Sequence, residues 1–132
     1  MLENEELKIV KYLGIDWGEK RIGLATADAE TNLALPFKTV SNLEEVLEII
    51  KQDEIDIVVI GSPKKMSGQA ADNPLWLNFV KQLEAKSNRP LKFLDERLSS
   101  LAADALAGES KEKAERDEIA ATLILQDYLD SY

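Results

Sequence analysis

The chain reads VKYLGIDWGEKRIGLATAD over residues 10–28, and this stretch decides its fold class. The apolar run that ends at Ile15 predicts a buried strand over residues 8–16, because a short apolar run bounded by turn residues is typical of a strand inside a sheet. Gly18 begins a tight turn, and residues 20–28 predict a second strand, antiparallel to the first. The small residues of this second strand predict close packing against a helix.

The rest of the chain alternates strands with helices. A third strand is predicted over residues 33–40, where Pro36 fits a sheet edge because proline has no N–H to donate. Ser41 and Glu44 predict a capping box at the start of the first helix. The later elements follow in order: a strand at 55–60, a helix capped by Asp72 or Asn73, a strand at 90–95, and helices at 97–107 and 111–130.

Apolar stripes at helical spacing predict the buried faces of the first two helices. These stripes are Leu43, Val46, Leu47 and Ile50, followed by Trp76, Phe79, Val80 and Leu83.

This order of elements predicts an α/β fold of one domain over residues 1–132, with residues 1–7 as a disordered lead-in. A three-strand meander followed by helical crossovers predicts a mixed five-stranded sheet with strand order 3-2-1-4-5 and helices on both faces. Ligands in such sheets bind at the carboxyl ends of the strands. Asp16, Gly61 and Glu96 are expected at such ends.

The amino-acid composition excludes several chemistries. The chain contains no cysteine and no histidine, so thiol nucleophiles, Ser-His-Asp triads and zinc sites built from these residues are excluded. Hydrolytic chemistry would therefore depend on carboxylates, Lys, Tyr, Ser or a metal. A site built only from oxygen ligands suits hard cations such as Mg²⁺ or Mn²⁺.

Charge and hydropathy limit the partners and the cellular location. The net charge of −9 argues against tight non-specific binding of nucleic acid, which needs a basic surface, although a local basic patch could still hold phosphates. No apolar run approaches the roughly 20 residues of a membrane span, so no membrane association is expected. The acidic N-terminus does not resemble a signal peptide, and a cytoplasmic location is expected.

Three carboxylates are candidates for a shared site: Asp16 and Glu96 at strand ends, and Asp117 near the start of the last helix. Each has an alternative role. Asp16 could hydrogen-bond the backbone of the following turn, Glu96 could cap the next helix, and Asp117 could pair on the helix surface with Lys113. Asp95 competes with Glu96, because adjacent strand residues face opposite sides of a sheet.

Four basic residues are candidates for binding phosphate. Arg21 follows the turn after Asp16, and Arg97 follows Glu96; arginine suits both phosphate and carboxylate partners because its guanidinium is bidentate. Lys64 and Lys65 lie in a loop with glycines and hydroxyls that could cradle a phosphate, although this loop is not a Walker P-loop. The alternatives are surface ion pairs and a mobile surface loop.

Four segments in this order together resemble the YqgF family of ribonuclease H-like proteins, also called Holliday-junction-resolvase-like. They are residues 14–25, residues 59–63 with 66–68, residues 95–100 and residues 117–126. The resemblance extends from about residue 9 to residue 131. It implies a nuclease that matures the 5′ end of precursor small-subunit (16S) rRNA, or a Holliday-junction resolvase acting on branched DNA.

The resemblance also implies the site and its cofactor. It implies a two-metal phosphodiesterase with Mg²⁺ or Mn²⁺, in which Asp16, Glu96 and Asp117 are the catalytic, metal-binding carboxylates. Ala114 stands where related resolvases carry a fourth acid. A resolvase that cuts two symmetric strands would need a homodimer, whereas an rRNA-trimming enzyme could act as a monomer.

Two other classes of function are also considered. Residues 14–18 are similar to the phosphate loop of actin-like ATPases and sugar kinases, but those proteins bind nucleotide between two such domains, and 132 residues supply only one. The other alternative is a non-catalytic module that binds nucleic acid or takes part in ribosome assembly.

Overall fold

A computed structural model describes residues 8–62, 73–95 and 113–131, and it confirms the predicted α/β fold. The elements in chain order are β1 Lys11–Trp17, β2 Ile22–Asp28, β3 Leu35–Val40, α1 Leu43–Gln52, β4 Ile57–Ser62, α2 Pro74–Ser87, β5 Leu91–Asp95 and α3 Lys113–Ser131. The predicted lead-in over residues 1–7 and the predicted helix over 97–107 lie outside the described residues.

The sheet has the predicted order, β3-β2-β1-β4-β5. Strand β1 pairs with β2 in antiparallel and with β4 in parallel orientation. The predicted edge position of Pro36 is confirmed, because β3 lies at the edge of the sheet. Pro36 pairs with Ala25, immediately after a register shift between Leu24 and Ala25. A proline is tolerated there because edge positions and bulges do not require every N–H.

Helices cover both faces of the sheet, as predicted. On one face, Leu13 and Ile15 of β1 pack in a cluster with Val46 of α1 and Phe79 of α2. On the other face, residues of β2 and β4 pack against α3, including Ala121, Ile124 and Leu125. Burying one large apolar side chain stabilises a fold by about 1.5–3 kcal/mol, so each face of the sheet has a substantial core.

The cap of α1 lies one residue later than the sequence predicts. The N-cap is Asn42, whose side chain accepts a hydrogen bond from the Glu45 N–H at 3.0 Å. The Glu45 carboxylate in turn accepts from the Ser41 N–H at 3.3 Å. The prediction of Ser41 as N-cap was therefore wrong. Both residues are good caps, and a helix that begins at Leu43 also buries Ile49, which the sequence analysis did not include.

The start of α2 confirms its sequence signals. Asn73 is the N-cap and accepts from the Leu75 N–H at 2.9 Å, and Pro74 opens the first turn, where a helix lacks N–H partners. Three of the four residues predicted for its inner face, Trp76, Phe79 and Leu83, are buried, and Val80 is partly buried. Among the described residues, no helix combines the length and the apolar character that a bilayer crossing requires.

The packing of α3 on the sheet depends on the absence of a side chain at Gly14 in β1. A Cβ atom at this position would lie 2.7 Å from the Cβ of Leu125 and 3.0 Å from the carbonyl oxygen of Ala121. Real Cβ atoms do not approach other atoms that closely, so glycine allows the helix axis to lie close to the central strand. This close approach brings α3 against the strand that carries Asp16.

Candidate functional site

Asp16 lies near the carboxyl end of β1, where the sequence predicts it, and it is partly buried. Successive strand residues point to opposite faces of a sheet. Leu13 and Ile15 pack toward α1 and α2, so Gly14 and Asp16 lie on the face that α3 covers. Asp16 is therefore the acid that β1 presents at the α3 side of the sheet.

The start of α3 reaches Asp16 because Gly23 leaves room for it. Gly23 of β2 is the direct cross-strand partner of Asp16. A Cβ atom on Gly23 would lie 2.2 Å from the carbonyl oxygen of Asp117 and 2.8 Å from its Cβ. The backbone of Asp117 thus occupies the space where a side chain beside Asp16 would stand. The predicted close packing of β2 against a helix is confirmed at this position.

A shallow cleft of about 390 Å³ opens at this end of the sheet. Its described lining combines acidic and basic side chains with the turn between β1 and β2: Asp16, Trp17, Gly18, Glu19, Lys20, Arg21, Arg116 and Asp117. The structure thus brings together three of the residues predicted for the site, namely Asp16, Arg21 and Asp117. Like charges in one cleft raise each other's cost of ionisation, and neighbouring cations offset that cost.

An ion pair joins two of these residues across the cleft. The Nε of Arg21 lies 3.4 Å from Oδ2 of Asp117, and the two side chains are 40% and 23% exposed. Asp117 is thus mostly covered and faces the segment after β1. A pairing of Asp117 with Lys113 on the helix surface stays an untested alternative, because the side chain of Lys113 lies outside the described part. Arg21 was predicted as a phosphate ligand, and here it also contacts a candidate metal ligand.

Five of the eight lining residues were not among the predicted site residues, and Glu19 and Arg116 are two charged residues among these five. Glu19 lies within the turn, and Arg116 immediately precedes Asp117 in α3. The sequence could have indicated Arg116 only because this residue is adjacent to Asp117 in the helix. Glu19 and Arg116 lie in the cleft because the fold brings the turn after β1 beside the start of α3.

Four other predicted site residues lie outside the described residues: Glu96, Arg97, Lys64 and Lys65. Their roles remain predictions. Strand β5 ends at Asp95, which pairs with Ser62 of β4, so the described strand leads to the segment that contains Glu96. Within residues 8–62, 73–95 and 113–131, no group of three acids is positioned to hold a metal ion.

Two carboxyl groups with a lowered pKa lie at the other end of the sheet. Asp28 is the last residue of β2, and Thr31 lies in the turn that follows. The hydrogen bond from the Thr31 backbone N–H is the main cause that holds the pKa of Asp28 below its usual value. Partial burial raises the pKa of Asp56, but hydrogen bonds from the Lys11 N–H and from Lys8, with the charges of Lys8 and Arg89, outweigh it and lower the pKa. Both groups therefore have local structural roles.

The family described as RuvX, Holliday junction resolvase, matches residues 10–131. The chain belongs to this family. The match covers nearly the same residues as the resemblance found in the sequence.

Curated relatives are also similar over almost their whole length. A protein of Roseiflexus sp. (strain RS-1) is 35% identical, covering 92% of this chain and 94% of the relative. A protein of Mycoplasma mobile is 33% identical, covering 93% and 94%. Both carry the name "Putative pre-16S rRNA nuclease".

Solved structures support the fold assignment. The chain is similar to the Thermus thermophilus RuvC in complex with a Holliday junction substrate, with a TM-score of 0.58 and 14% sequence identity. The similarity covers 92% of this chain and 95% of that one. At this level of identity the likeness concerns the fold alone. It confirms the predicted ribonuclease H-like architecture.

Proposed function

We propose that the chain is a metal-dependent endonuclease that hydrolyses phosphodiester bonds in processing the 5′ end of precursor 16S rRNA. The observation that carries this proposal is the meeting of Asp16 and Asp117 in one cleft, with Arg21 between the turn and the helix. Membership of the RuvX family and the name shared by the curated relatives support the same class of reaction.

The chemistry of the cleft fits a hard divalent cation. Mg²⁺ is commonly bound by one or two carboxylates together with water and substrate phosphates, and Asp16 and Asp117 supply two carboxylates in an open cleft. Glu96, which follows β5, is proposed as the third. A bound Mg²⁺ or Mn²⁺ would supply the Lewis acidity that activates the attacking water and stabilises the leaving oxygen.

The side chains of the chain itself would position the substrate. Lys20, Arg21 and Arg116 provide basic groups beside the acids, and guanidinium groups suit phosphate oxygens because they donate bidentate hydrogen bonds. During hydrolysis the water oxygen bonds to phosphorus and the water loses a proton. The bond from phosphorus to the leaving oxygen breaks, and the leaving oxygen takes a proton from solvent. Since the chain has no histidine, the cleft carboxylates are the proposed proton acceptors.

The test is cleavage of a precursor 16S rRNA fragment that spans the mature 5′ end. We expect cleavage with Mn²⁺, no cleavage with EDTA, and no cleavage by Asp16→Asn. Glu48→Gln is the matched control, because Glu48 is an exposed acid of α1, and this variant should cleave normally. Cleavage by Asp16→Asn at equal purity would contradict the proposed site.

Three further measurements separate the alternatives: cleavage of a DNA junction, calorimetry with ATP, and rRNA processing in cells. The family description favours branched DNA as a second substrate, so a four-way DNA junction is tested beside the RNA. Cleavage of the junction and not of the RNA would indicate a resolvase-like enzyme. Heat of ATP binding without nuclease activity would indicate a nucleotide-binding protein. Absence of both, with rRNA processing in cells preserved by Asp16→Asn, would indicate a non-catalytic module.

A further inference from the structure

A second and larger hollow, of about 1010 Å³, opens at the opposite end of the strands from the cleft. Its lining contains five basic side chains: Lys8, Lys11, Lys51, Lys86 and Arg89. Two acidic side chains, Glu54 and Asp56, also line it. We call this surface the basic hollow. In a chain with a net charge of −9, it collects five of the 16 lysines and arginines.

The fold brings these residues together from four elements. Lys11 is the first residue of β1, and Arg89 lies just before β5. Lys51 and Lys86 lie in the last turns of α1 and α2. The negative end of a helix dipole favours a lysine at each of those places. That effect explains each lysine separately, but it does not require the two helices to end beside the same hollow.

Three of the basic side chains are already engaged within the protein. Lys8 pairs with Asp56 at 3.1 Å, the Nζ of Lys11 donates to the carbonyl oxygen of Asp53 at 3.4 Å, and the Nε of Arg89 donates to the carbonyl oxygen of Ile55 at 2.7 Å. These contacts restrain the three side chains where they line the hollow.

The ammonium groups of Lys51 and Lys86 have no hydrogen bond or ion pair with any described residue. Of the two acids in the lining, Asp56 already accepts from Lys8 and from the backbone N–H of Lys11. The other acid, Glu54, lies three residues after Lys51 and forms no ion pair with a described residue. Two lysines without an ion-pair partner among the described residues therefore border a concave surface in which basic side chains outnumber acidic ones.

We propose that the basic hollow binds the phosphate backbone of the RNA at a distance from the cleavage site, and this proposal rests on the proposed function. Lys11 and Asp16 lie five residues apart in β1, which separates the hollow from the cleft by about 16 Å along the strand at roughly 3.3 Å per residue. Phosphate contacts position a nucleic acid without reading its sequence. An acidic protein needs such a localised basic surface to retain RNA, because the negative net charge of the protein repels the phosphates.

The test is the salt dependence of RNA binding in EDTA, where cleavage is not expected, measured by fluorescence anisotropy with a single-stranded fragment of the precursor. Each phosphate contact to a single strand contributes about 0.7 to the slope of log affinity against log salt. We expect Lys51→Gln with Lys86→Gln to reduce this slope by about 1.4 and to weaken binding. The matched control, Lys81→Gln with Lys92→Gln, makes the same change in charge at exposed lysines outside the hollow and should retain the slope.

The outcomes separate this inference from the proposed function. Equal losses in both double variants, or no loss in either, would overturn the role of the hollow. Backbone amide shifts at Lys51 and Lys86 with polyglutamate and not with RNA would also overturn it, because they would indicate an acidic protein partner. The protein could bind RNA through the hollow and yet cleave no substrate. That result would support the inference and contradict the proposed endonuclease function.

Discussion

The Nε of Arg21 lies 3.4 Å from Oδ2 of Asp117, although the two residues are 96 positions apart in the sequence. The contact joins the segment after β1 to the first turns of α3. Its geometry gives Arg21 two effects on the cleft: it supplies a positive charge beside Asp117, and it restrains the direction of that carboxylate relative to Asp16. Arg21 is therefore a positioning residue for the proposed site as well as a candidate phosphate ligand.

We predict that Arg21→Gln reduces RNA cleavage strongly and changes the free energy of unfolding by no more than about 1 kcal/mol, because partly exposed ion pairs contribute little to stability. The measurements are kcat and KM for the precursor fragment, the Mn²⁺ concentration for half-maximal activity, and urea unfolding. A change in the Mn²⁺ requirement would indicate that Arg21 acts through Asp117.

Arg21→Lys is the conservative variant for this test. It retains the charge and loses the planar fork of donors, so we expect partial recovery of KM without recovery of the Mn²⁺ requirement. Wild-type kinetics in Arg21→Gln would show that the ion pair has no part in the reaction.

We predict that Gly23→Ala destabilises the protein and reduces cleavage by the molecules that remain folded. The new Cβ would lie 2.2 Å from the carbonyl oxygen of Asp117, so the start of α3 must move away from Asp16. Overpacking of this kind typically costs about 1–3 kcal/mol. Urea unfolding gives the stability, and cleavage is measured at a temperature where circular dichroism shows the variant to be folded.

Gly14→Ala is the matched control for Gly23→Ala. Its new Cβ would meet Leu125 at 2.7 Å, farther along α3 from Asp117. A comparable loss of stability is therefore expected, with a smaller loss of cleavage per folded molecule. If both variants lost cleavage in proportion to their loss of stability, Gly23 would have no special relation to the site.

The sequence was sufficient to predict the strand order and the position of Asp16 near the end of β1. Apolar runs, turn residues and the rule for crossovers predict that β1 lies between β2 and β4. The position of Asp16 after the apolar run predicts that it lies at the carboxyl end of β1. The sequence did not determine the direction of Asp117, because a helix can present any of its sides to a sheet. Its direction follows from the fit of α3 against Gly14 and Gly23, which is a long-range packing effect.

The cap of α1 illustrates a different limit. Ser41 and Asn42 are adjacent and are both favourable N-caps, and Glu44 and Glu45 provide the matching acid for either. The local sequence therefore supports two helix starts that differ by one residue. In the structure Asn42 is the N-cap and the helix begins at Leu43, with Val46, Ile49 and Ile50 buried.

We predict that millimolar Mn²⁺ raises the melting temperature of the wild-type protein. A cation that binds the folded cleft and not the unfolded chain stabilises the folded state by about 2.7 kcal/mol at a hundred times its Kd. Asp16→Asn should remove most of the increase, and Glu48→Gln should retain it. The measurement is differential scanning calorimetry with and without EDTA. An equal increase in all three proteins would place metal binding elsewhere on the chain.

The last prediction concerns Asp56, which joins the starts of β1 and β4. Its carboxylate accepts a hydrogen bond from the Lys11 N–H at 2.9 Å, and its own N–H donates to the Lys11 carbonyl oxygen at 2.9 Å. Partial burial alone would raise the pKa, but these hydrogen bonds and the charges of Lys8 and Arg89 hold it below the usual value of 3.8.

A carboxyl group whose pKa is lower in the folded state stabilises the fold above its unfolded-state pKa, and this contribution is lost as the pH falls through the folded-state pKa. We therefore expect Asp56→Asn to be less stable than the wild type at pH 7, and the difference in free energy of unfolding to narrow below about pH 3.8. Urea unfolding between pH 7 and pH 2.5 measures it, with Glu48→Gln as the control for losing one acidic charge. A difference that stays constant over this range would mean that the amide loses packing or hydrogen bonds and that ionisation of Asp56 contributes nothing.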